Sequence, residues 1–516
     1  MSDRLSYHVS RNAQPVCYSL TGNFLETIIC MSVPEIRIRS INGRPVNPDG
    51  RYILYWMTAF RRTRWNFALQ RAVEQSRALQ RPLVVLEALR CDYPYASDRL
   101  HRFILDGMAA NAGALINQPV TYHPYVETIQ HAGKGLLAEL ARKACLVVTD
   151  DYPAFFLPRM VAEAGRQLPI TLEAVDGNGL LPMRAADHAY PTAYAFRRFL
   201  QKTLPAHLMA APQANPLQDA HLPDPTALPE SLTAKWPDAT TLLLEGGPEL
   251  ASLPIDHRVR PCPLPGGETA AHERLNTFLD QRLVHYTELR NHPDLDMTSG
   301  LSPYLHFGHI SSHAIFAAIA GRDGWGPDRL GPKANGKRAG WWGLSADAEA
   351  FLDQLVTWRE LGFNMCCFEP QHYMDYASLP EWARRTLDEH CRDPRPICYT
   401  LEEFREACTH DSLWNAAQRQ LRREGGIHNY LRMLWAKKIL EWTPTPQDAL
   451  AVMIELNDRY ALDGRDPNSY SGIFWCLGRY DRPWGPTRPI FGSIRYMSSG
   501  NTARKVKLKS YLEKYS

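Results

Sequence analysis

Residues 429–442 read NYLRMLWAKKILEW, and residues 456–468 read LNDRYALDGRDPN. The first segment is strongly helical and carries Trp435 and Trp442 seven residues apart. Two helical turns separate them, so both indoles lie near one face. Arg432 sits one turn before Trp435 on that face. Asp463 lies beyond the helix, where it could meet Arg432 in a charge-assisted pair. Two readings follow. Tryptophans at this spacing suit a core stripe. Aromatic groups stepped through a helix beside an ion pair also suit a protein that moves electrons to a redox cofactor.

Outward from this segment the pattern stays helical from residue 268. Helices are predicted over 268–285, 311–320, 346–361, 380–390, 401–406, 412–423, 427–442 and 446–457. Ser345 is a predicted N-cap, with Asp347 and Glu349 favouring that helix start. Toward the N-terminus the pattern changes. Residues 52–57, 83–86, 146–149 and 170–175 are short runs rich in Val, Ile and Leu. Between them, 67–79, 98–115 and 135–143 read as helices. Such alternation predicts a parallel, Rossmann-like sheet covered on both faces. Its ligands would sit beyond the strand C-termini, at 56–58, 149–151 and 176–178. Asp150, Asp151 and Asp176 stand there, equally readable as loop residues or caps. Residues 205–265 are rich in Pro, Ala and Leu with little periodicity, and read as a connection running over the surface. The predicted organisation is an N-terminal extension (1–45), an α/β domain (46–204), an interdomain linker (205–267) and a larger all-helical domain (268–516).

A chain of 516 residues exceeds one ordinary core. No apolar run approaches a membrane span, and residues 1–30 lack the form of a secretory signal. Eleven cysteines show no CxxC pair, which predicts reduced thiols, a cytoplasmic location and no metal site. The net charge of +3 requires that any nucleic-acid binding rest on a local basic patch. Seven of the thirteen tryptophans lie from Trp358 onward, so the helical half is where aromatic chemistry is expected.

These residues resemble the C-terminal half of class II DNA photolyases, in the photolyase/cryptochrome flavoprotein family. The resemblance extends in order through residues 46–57 (VNPDGRYILYWM), 297–311 (MTSGLSPYLHFGHIS), 351–364, 379–387, 409–418 and 491–497. It covers about residues 33 to 515, is densest after Arg282, and is weak between Thr58 and Asp150. It implies an α/β domain followed by a helical domain that binds FAD.

By this resemblance Tyr286, Thr298, Ser299, Leu301 and Ser302 hold the FAD diphosphate. Taken alone, the hydroxyl-rich run 298–303 is an ordinary helix start, with donors suited to an anion. The resemblance adds Gln354, Trp358 and Glu360 from the next helix. It places Asn429, Arg432, Asp463 and Asp466 around the isoalloxazine and ribityl groups, and Asn457 facing flavin N5. Trp435, Trp414 and Trp442 match an electron-transfer triad, in that order from the flavin outward. Trp358 and Trp475 match a clamp for a flipped pyrimidine dimer, with Met433 beside it and Trp484 near the gap left in the duplex.

The chain departs from the family pattern at two places. Residues 353–357 read DQLVT where class II photolyases usually carry a glutamate at the position of Gln354. A carboxamide can hydrogen-bond a thymine edge but cannot supply a proton as a carboxyl does. Residues 58–64 (TAFRRTR) lack the usual acidic, Gln-containing loop, which leaves the antenna chromophore open between a deazaflavin and none. The basic tail (Arg504, Lys505, Lys507, Lys509) reads as a phosphate track or as a solvated face. The expectation is a monomeric FAD enzyme that repairs cyclobutane pyrimidine dimers in UV-damaged DNA. The rivals are a cryptochrome-like photoreceptor with little or no repair and an unlit DNA-binding flavoprotein.

Overall fold

The structure, a computed structural model, describes residues 32–516. The readings made for residues 1–31 fall outside the described residues.

Among the described residues six strands form one sheet in the order β1-β6-β5-β2-β3-β4. They are β1 (Ile38–Ser40), β2 (Tyr52–Met57), β3 (Leu83–Leu89), β4 (Thr121–Val126), β5 (Ala144–Asp150) and β6 (Leu172–Val175). All neighbours are parallel except β1, which runs antiparallel to β6 with Ile38 opposite Val175. Strands β2 and β5 are buried at every position, as expected of a sheet covered on both faces. The helices Phe67–Leu79 and Asp98–Leu115 stand where the periodicity predicts them.

Two strands escaped the sequence reading. Strand β1 belongs to the sheet although the region to residue 45 was read as an extension. Strand β4 contains Pro124, which a sheet tolerates at an edge, and β4 is the edge beside β3. The predicted linker is also corrected. It contains the helices Glu230–Lys235 and Thr240–Leu244 and buries Trp236, whose indole donates to the carbonyl of Ala132 at 2.9 Å. It therefore packs on the α/β domain.

The remaining chain is helical. Helix 346–361 is not uniform: Ala346–Leu352 and Arg359–Phe368 are α-helical, and Asp353–Trp358 between them is a π-turn. Ser345 caps the first of these through the N–H of Ala348. Asp353 is held by a buried ion pair with Arg197 at 2.8 Å. Such wider turns are frequent at functional sites.

The two halves are bound through buried polar side chains. Arg99 of the α/β half donates to the carbonyls of Leu421, Arg422 and Tyr460, at the ends of two helices of the other half. Those are positions where a cation meets unsatisfied carbonyls and the negative end of a helix. The segment after β6 is gripped similarly. Arg359 donates to Asn178 O at 2.6 Å, and the Glu360 carboxylate accepts from the N–H groups of Leu180 and Leu181 at 2.7 and 3.1 Å.

Candidate cofactor and lesion site

The helix Asn429–Glu441 is buried on most sides, with Leu431, Leu434–Leu440 inside. Only Asn429, Tyr430, Arg432, Met433 and Glu441 keep exposure. Asn429, Arg432 and Met433 are three and four residues apart and share one face. Arg432 pairs with Asp463 at 3.1 Å, with their side chains 21% and 13% exposed. The predicted pair is therefore formed, half-buried rather than sealed.

The three predicted triad indoles are in contact. Trp414 and Trp435 stack at 6.4 Å with 3° between planes, and Trp414 meets Trp442 edge-on at 6.0 Å. Trp414 thus sits between the other two. Hydrogen bonds lock the first two rings: Trp414 Nε1 donates to Trp435 O at 3.0 Å, and Trp435 Nε1 donates to Gln418 Oε1 at 2.9 Å.

Beside this helix, a polar network holds Asn457. Its amide donates to Asp458 Oδ1 at 3.0 Å and its carbonyl accepts from Ser469 Oγ at 3.1 Å. Ser469 Oγ also accepts from Arg432 at 3.5 Å. Burial raises the Asp458 carboxyl above its usual range, partly offset by Arg465 and by the hydroxyl of Tyr470.

Residues 298–302 form a half-buried loop that enters the short helix Ser302–His306. Gly300 adopts φ +64°, and a Cβ there would strike the guanidinium of Arg274. Arg274 donates to Ser299 O at 2.7 Å and Arg282 to Thr298 O at 3.2 Å. These two arginines, which the sequence reading passed over, share the carboxylate of Asp296, at 3.8 and 3.1 Å, and leave one net positive charge under the loop. The helix start has no side-chain cap. Its free N–H groups, the Thr298 and Ser302 hydroxyls and the two guanidiniums together fit a diphosphate.

Three residues assigned to the cofactor are engaged by the protein itself. The Tyr286 ring is buried between Phe278 and Phe351. Glu360 is saturated by Leu180 and Leu181, and burial pushes its pKa up to about 7. Asp466 accepts from the Tyr152 hydroxyl at 3.0 Å and lies 3.3 Å from His306, and its other oxygen takes the Asn468 N–H. Leu301 is likewise buried in the core.

Gln354 and Trp358 lie on the π-turn, and Trp475 on the helix Pro467–Cys476. Gln354, Trp358, Met433 and Trp475 all remain partly exposed. Trp475 packs against two hydrophobic clusters, one within the helical half and one that spans both halves. Arg495 lies over Trp475 at 5.7 Å and over Trp484 at 4.9 Å, while Arg482 covers Trp484 at 4.2 Å. Lys437, buried beneath, donates to Cys476 O; burial pushes its amine down to about 8.

A separate cavity of about 680 Å³ opens at the crevice of the sheet, beside β2 and β3. Trp56, Thr58, Arg61, Tyr93, Tyr152 and Arg159 line it. The acids predicted near the strand ends play structural parts. Asp150 accepts from the N–H groups of Thr58, Ala59 and Phe60; Asp151 pairs with Arg39 and Arg184; Asp176 accepts from Asn178 and Met183. Among the described residues no cluster of three or more His, Cys, Asp or Glu could hold a metal ion. No helix there is long and apolar enough to cross a membrane.

No protein-family model matches the chain. Individual relatives do. A deoxyribodipyrimidine photo-lyase of Methanothermobacter thermautotrophicus is 33% identical over 93% of this chain and 97% of its own length. A deoxyribodipyrimidine photo-lyase of Oryza sativa is 33% identical over 92% of this chain and 89% of its own. Among solved structures, a bacterial class III photolyase from Agrobacterium tumefaciens shares the fold, with a TM-score of 0.62 at 18% identity, covering 90% of this chain and 86% of that one. An archaeal photolyase from Sulfolobus tokodaii, solved with two FAD molecules, aligns with a TM-score of 0.60 at 16% identity over 90% of this chain and 89% of that one. The α/β half, the helical half and relatives matched along nearly the whole length agree: the chain belongs to the photolyase/cryptochrome flavoprotein family.

Proposed function

We propose that this protein is a class II deoxyribodipyrimidine photo-lyase that repairs cyclobutane pyrimidine dimers in UV-damaged DNA. The observation that carries the reading is the contact chain Trp442–Trp414–Trp435, which ends one helical turn from the half-open Arg432–Asp463 pair. Fully reduced FAD, excited by blue or near-UV light, would supply the electron that splits the cyclobutane ring and take it back afterwards.

The chain's own residues have distinct tasks in this reading. Thr298, Ser299 and Ser302, with the guanidiniums of Arg274 and Arg282 behind them, hold the diphosphate. Arg432 and Asp463 would hold the flavin ring system, and Asn457, fixed by Asp458 and Ser469, would offer it a hydrogen-bonding amide. With an external reductant to refill Trp442, the three indoles would pass an electron inward from Trp442 through Trp414 to Trp435. Trp358 and Trp475 clamp the extruded dimer, recovering by stacking part of the unstacking energy. Met433 packs beside it, and Trp484 occupies the gap in the duplex. Gln354 hydrogen-bonds a pyrimidine edge; its amide has no hydrogen-bond partner among the described residues. The crevice cavity is assigned to a light-harvesting chromophore, with its apolar walls and its arginines. The molecule works as a monomer, residues 46–204 serving as the antenna domain and 268–516 as the cofactor and lesion domain.

The test is an absorption spectrum of the purified protein followed by dimer repair on DNA under blue light. A flavin spectrum with light-dependent loss of dimers supports the proposal, and a protein without flavin refutes it. Gln354 favours one second reading, a cryptochrome-like photoreceptor. That reading is chosen if flavin photoreduces but dimers persist.

A further inference from the structure

We infer that the face formed by the helix Ala193–Thr203 and the loop 331–342 is a second DNA contact, gripping the phosphate backbone beside the lesion pocket. This inference rests on the repair reading and adds to it a surface formed by residues other than those assigned to the lesion clamp.

The two segments carry Arg197, Arg198, Lys202, Lys333, Lys337 and Arg338 and no carboxylate. In a chain of net charge +3 this is a pronounced local excess. Arg198, Lys202, Lys333, Lys337 and Arg338 are exposed, and none of them forms an ion pair with another described residue. A cluster of like charges left unneutralised costs folding energy through self-repulsion, and phosphates relieve it.

The loop is also built rather than loose. Gln201 clasps it from both sides, accepting from Gly336 N at 2.8 Å and donating to Lys337 O at 3.0 Å. Arg197 donates to Gly336 O at 3.2 Å. Gly336 has φ +73°, and a Cβ there would strike the ring of Tyr194, which is itself exposed. Lys333, Lys337 and Arg338 are thereby presented on a fixed backbone, which lowers the ordering cost of binding.

Arg197 joins this face to the lesion pocket. Its Nε pairs with Asp353, buried, and Asp353 opens the π-turn that carries Gln354 and Trp358. The basic loop and the lesion clamp are therefore anchored to the same turn. Phosphate contacts carry no base identity, so this face grips a duplex with or without a dimer and leaves lesion preference to the clamp.

The experiment uses the full chain with its flavin and measures affinity for an undamaged duplex and a duplex with one dimer, across salt concentrations. Wild type is compared with the triple variant Lys333→Ala, Lys337→Ala, Arg338→Ala. Each lost phosphate contact lowers the log–log salt slope by about 0.9. The expected result is a slope reduced by about two to three units, with both duplexes weakened alike and their affinity ratio unchanged. Gln201→Leu, which keeps every charge but loosens the loop, is expected to weaken binding by about threefold or more at constant slope. An unchanged slope in the triple variant overturns the inference, even if dimers are bound preferentially and repaired. A reduced slope in a protein that shows no dimer preference supports the DNA-contact face while refuting the repair reading. If the triple variant keeps the DNA slope but loses binding to phosphatidylserine vesicles, the face is a membrane-surface contact and the inference falls.

Discussion

The indoles of Trp414 and Trp435 lie parallel, 6.4 Å apart, and the Nε1 of Trp414 is bonded to the backbone carbonyl of Trp435. Their rings come from different helices, Ser412–Glu424 and Asn429–Glu441. That bond anchors the Trp414 ring to the backbone of Trp435, and the bond from Trp435 Nε1 to Gln418 holds the second ring.

In the proposed relay Trp414 is the middle member, as its contacts with both other rings place it, so its loss should matter as much as that of Trp435. With an external reductant and blue light, Trp414→Phe and Trp435→Phe are expected to slow flavin photoreduction on the order of tenfold or more, since a barrier rise of about 1.4 kcal/mol suffices for that. Flavin content should stay at the wild-type level, because phenylalanine preserves most of the packing. Photoreduction at the wild-type rate in both variants would reduce the three rings to a core stripe.

Arg432→Ala leaves Asp463 half-buried without its counter-charge. Because both side chains retain some solvent, the expected destabilisation is on the order of 1–3 kcal/mol, below that of a sealed pair. Denaturant unfolding measures this, and the flavin released per chain should fall with it. Wild-type flavin content in Arg432→Ala would remove this pair from the cofactor site.

Glu360 supplies a pH test. Burial is the main cause that lifts its folded-state pKa from the usual 4.5 to about 7, against the Leu180 and Leu181 N–H groups and Arg359. The folded chain therefore binds this proton more tightly than the unfolded one. Its contribution is most favourable at low pH and is lost as pH rises from about 4.5 to about 7, in total about 3 kcal/mol. Glu360→Gln keeps an oxygen for the N–H groups and cannot titrate. The stability of the variant relative to wild type should thus increase between pH 5 and pH 8. A pH-independent difference between the two unfolding curves would show that the carboxyl does not titrate in this window.

At the lesion pocket, Trp475→Ala should weaken binding of dimer-containing DNA by about tenfold or more, since one base stacked on an aromatic ring contributes roughly 1–3 kcal/mol. Gln354→Glu should raise the number of dimers repaired per absorbed photon, because a carboxyl can lend a proton to the developing anion. Fully reduced wild type that binds damaged and undamaged DNA equally, together with a silent Gln354→Glu, would leave the cryptochrome-like reading in place.

Periodicity alone determined the order of the architecture. The β-like runs of the α/β half and the helical pattern from Glu268 onward correspond to observed elements, and helix 67–79 coincides with its prediction. Local patterns suffice there because each element's face is written in its own residues. The resemblance named Trp414, Trp435 and Trp442, and charge complementarity anticipated Arg432 with Asp463. What the sequence did not determine depends on partners remote along the chain. Strand β1 is too short to show a period and exists because β6 offers it an edge. The π-turn at Asp353–Trp358 is bound to Arg197, 156 residues away. The carboxylate of Glu360, read as a cofactor ligand, is instead claimed by the backbone after β6, 180 residues distant from it at Leu180. Spacing put Trp435 and Trp442 on one helical face, but only the packing of a second helix inserted Trp414 between them. Local propensity is a property of short segments, whereas which buried polar group meets which is decided when the segments pack, since each must find a partner or bear the cost of desolvation.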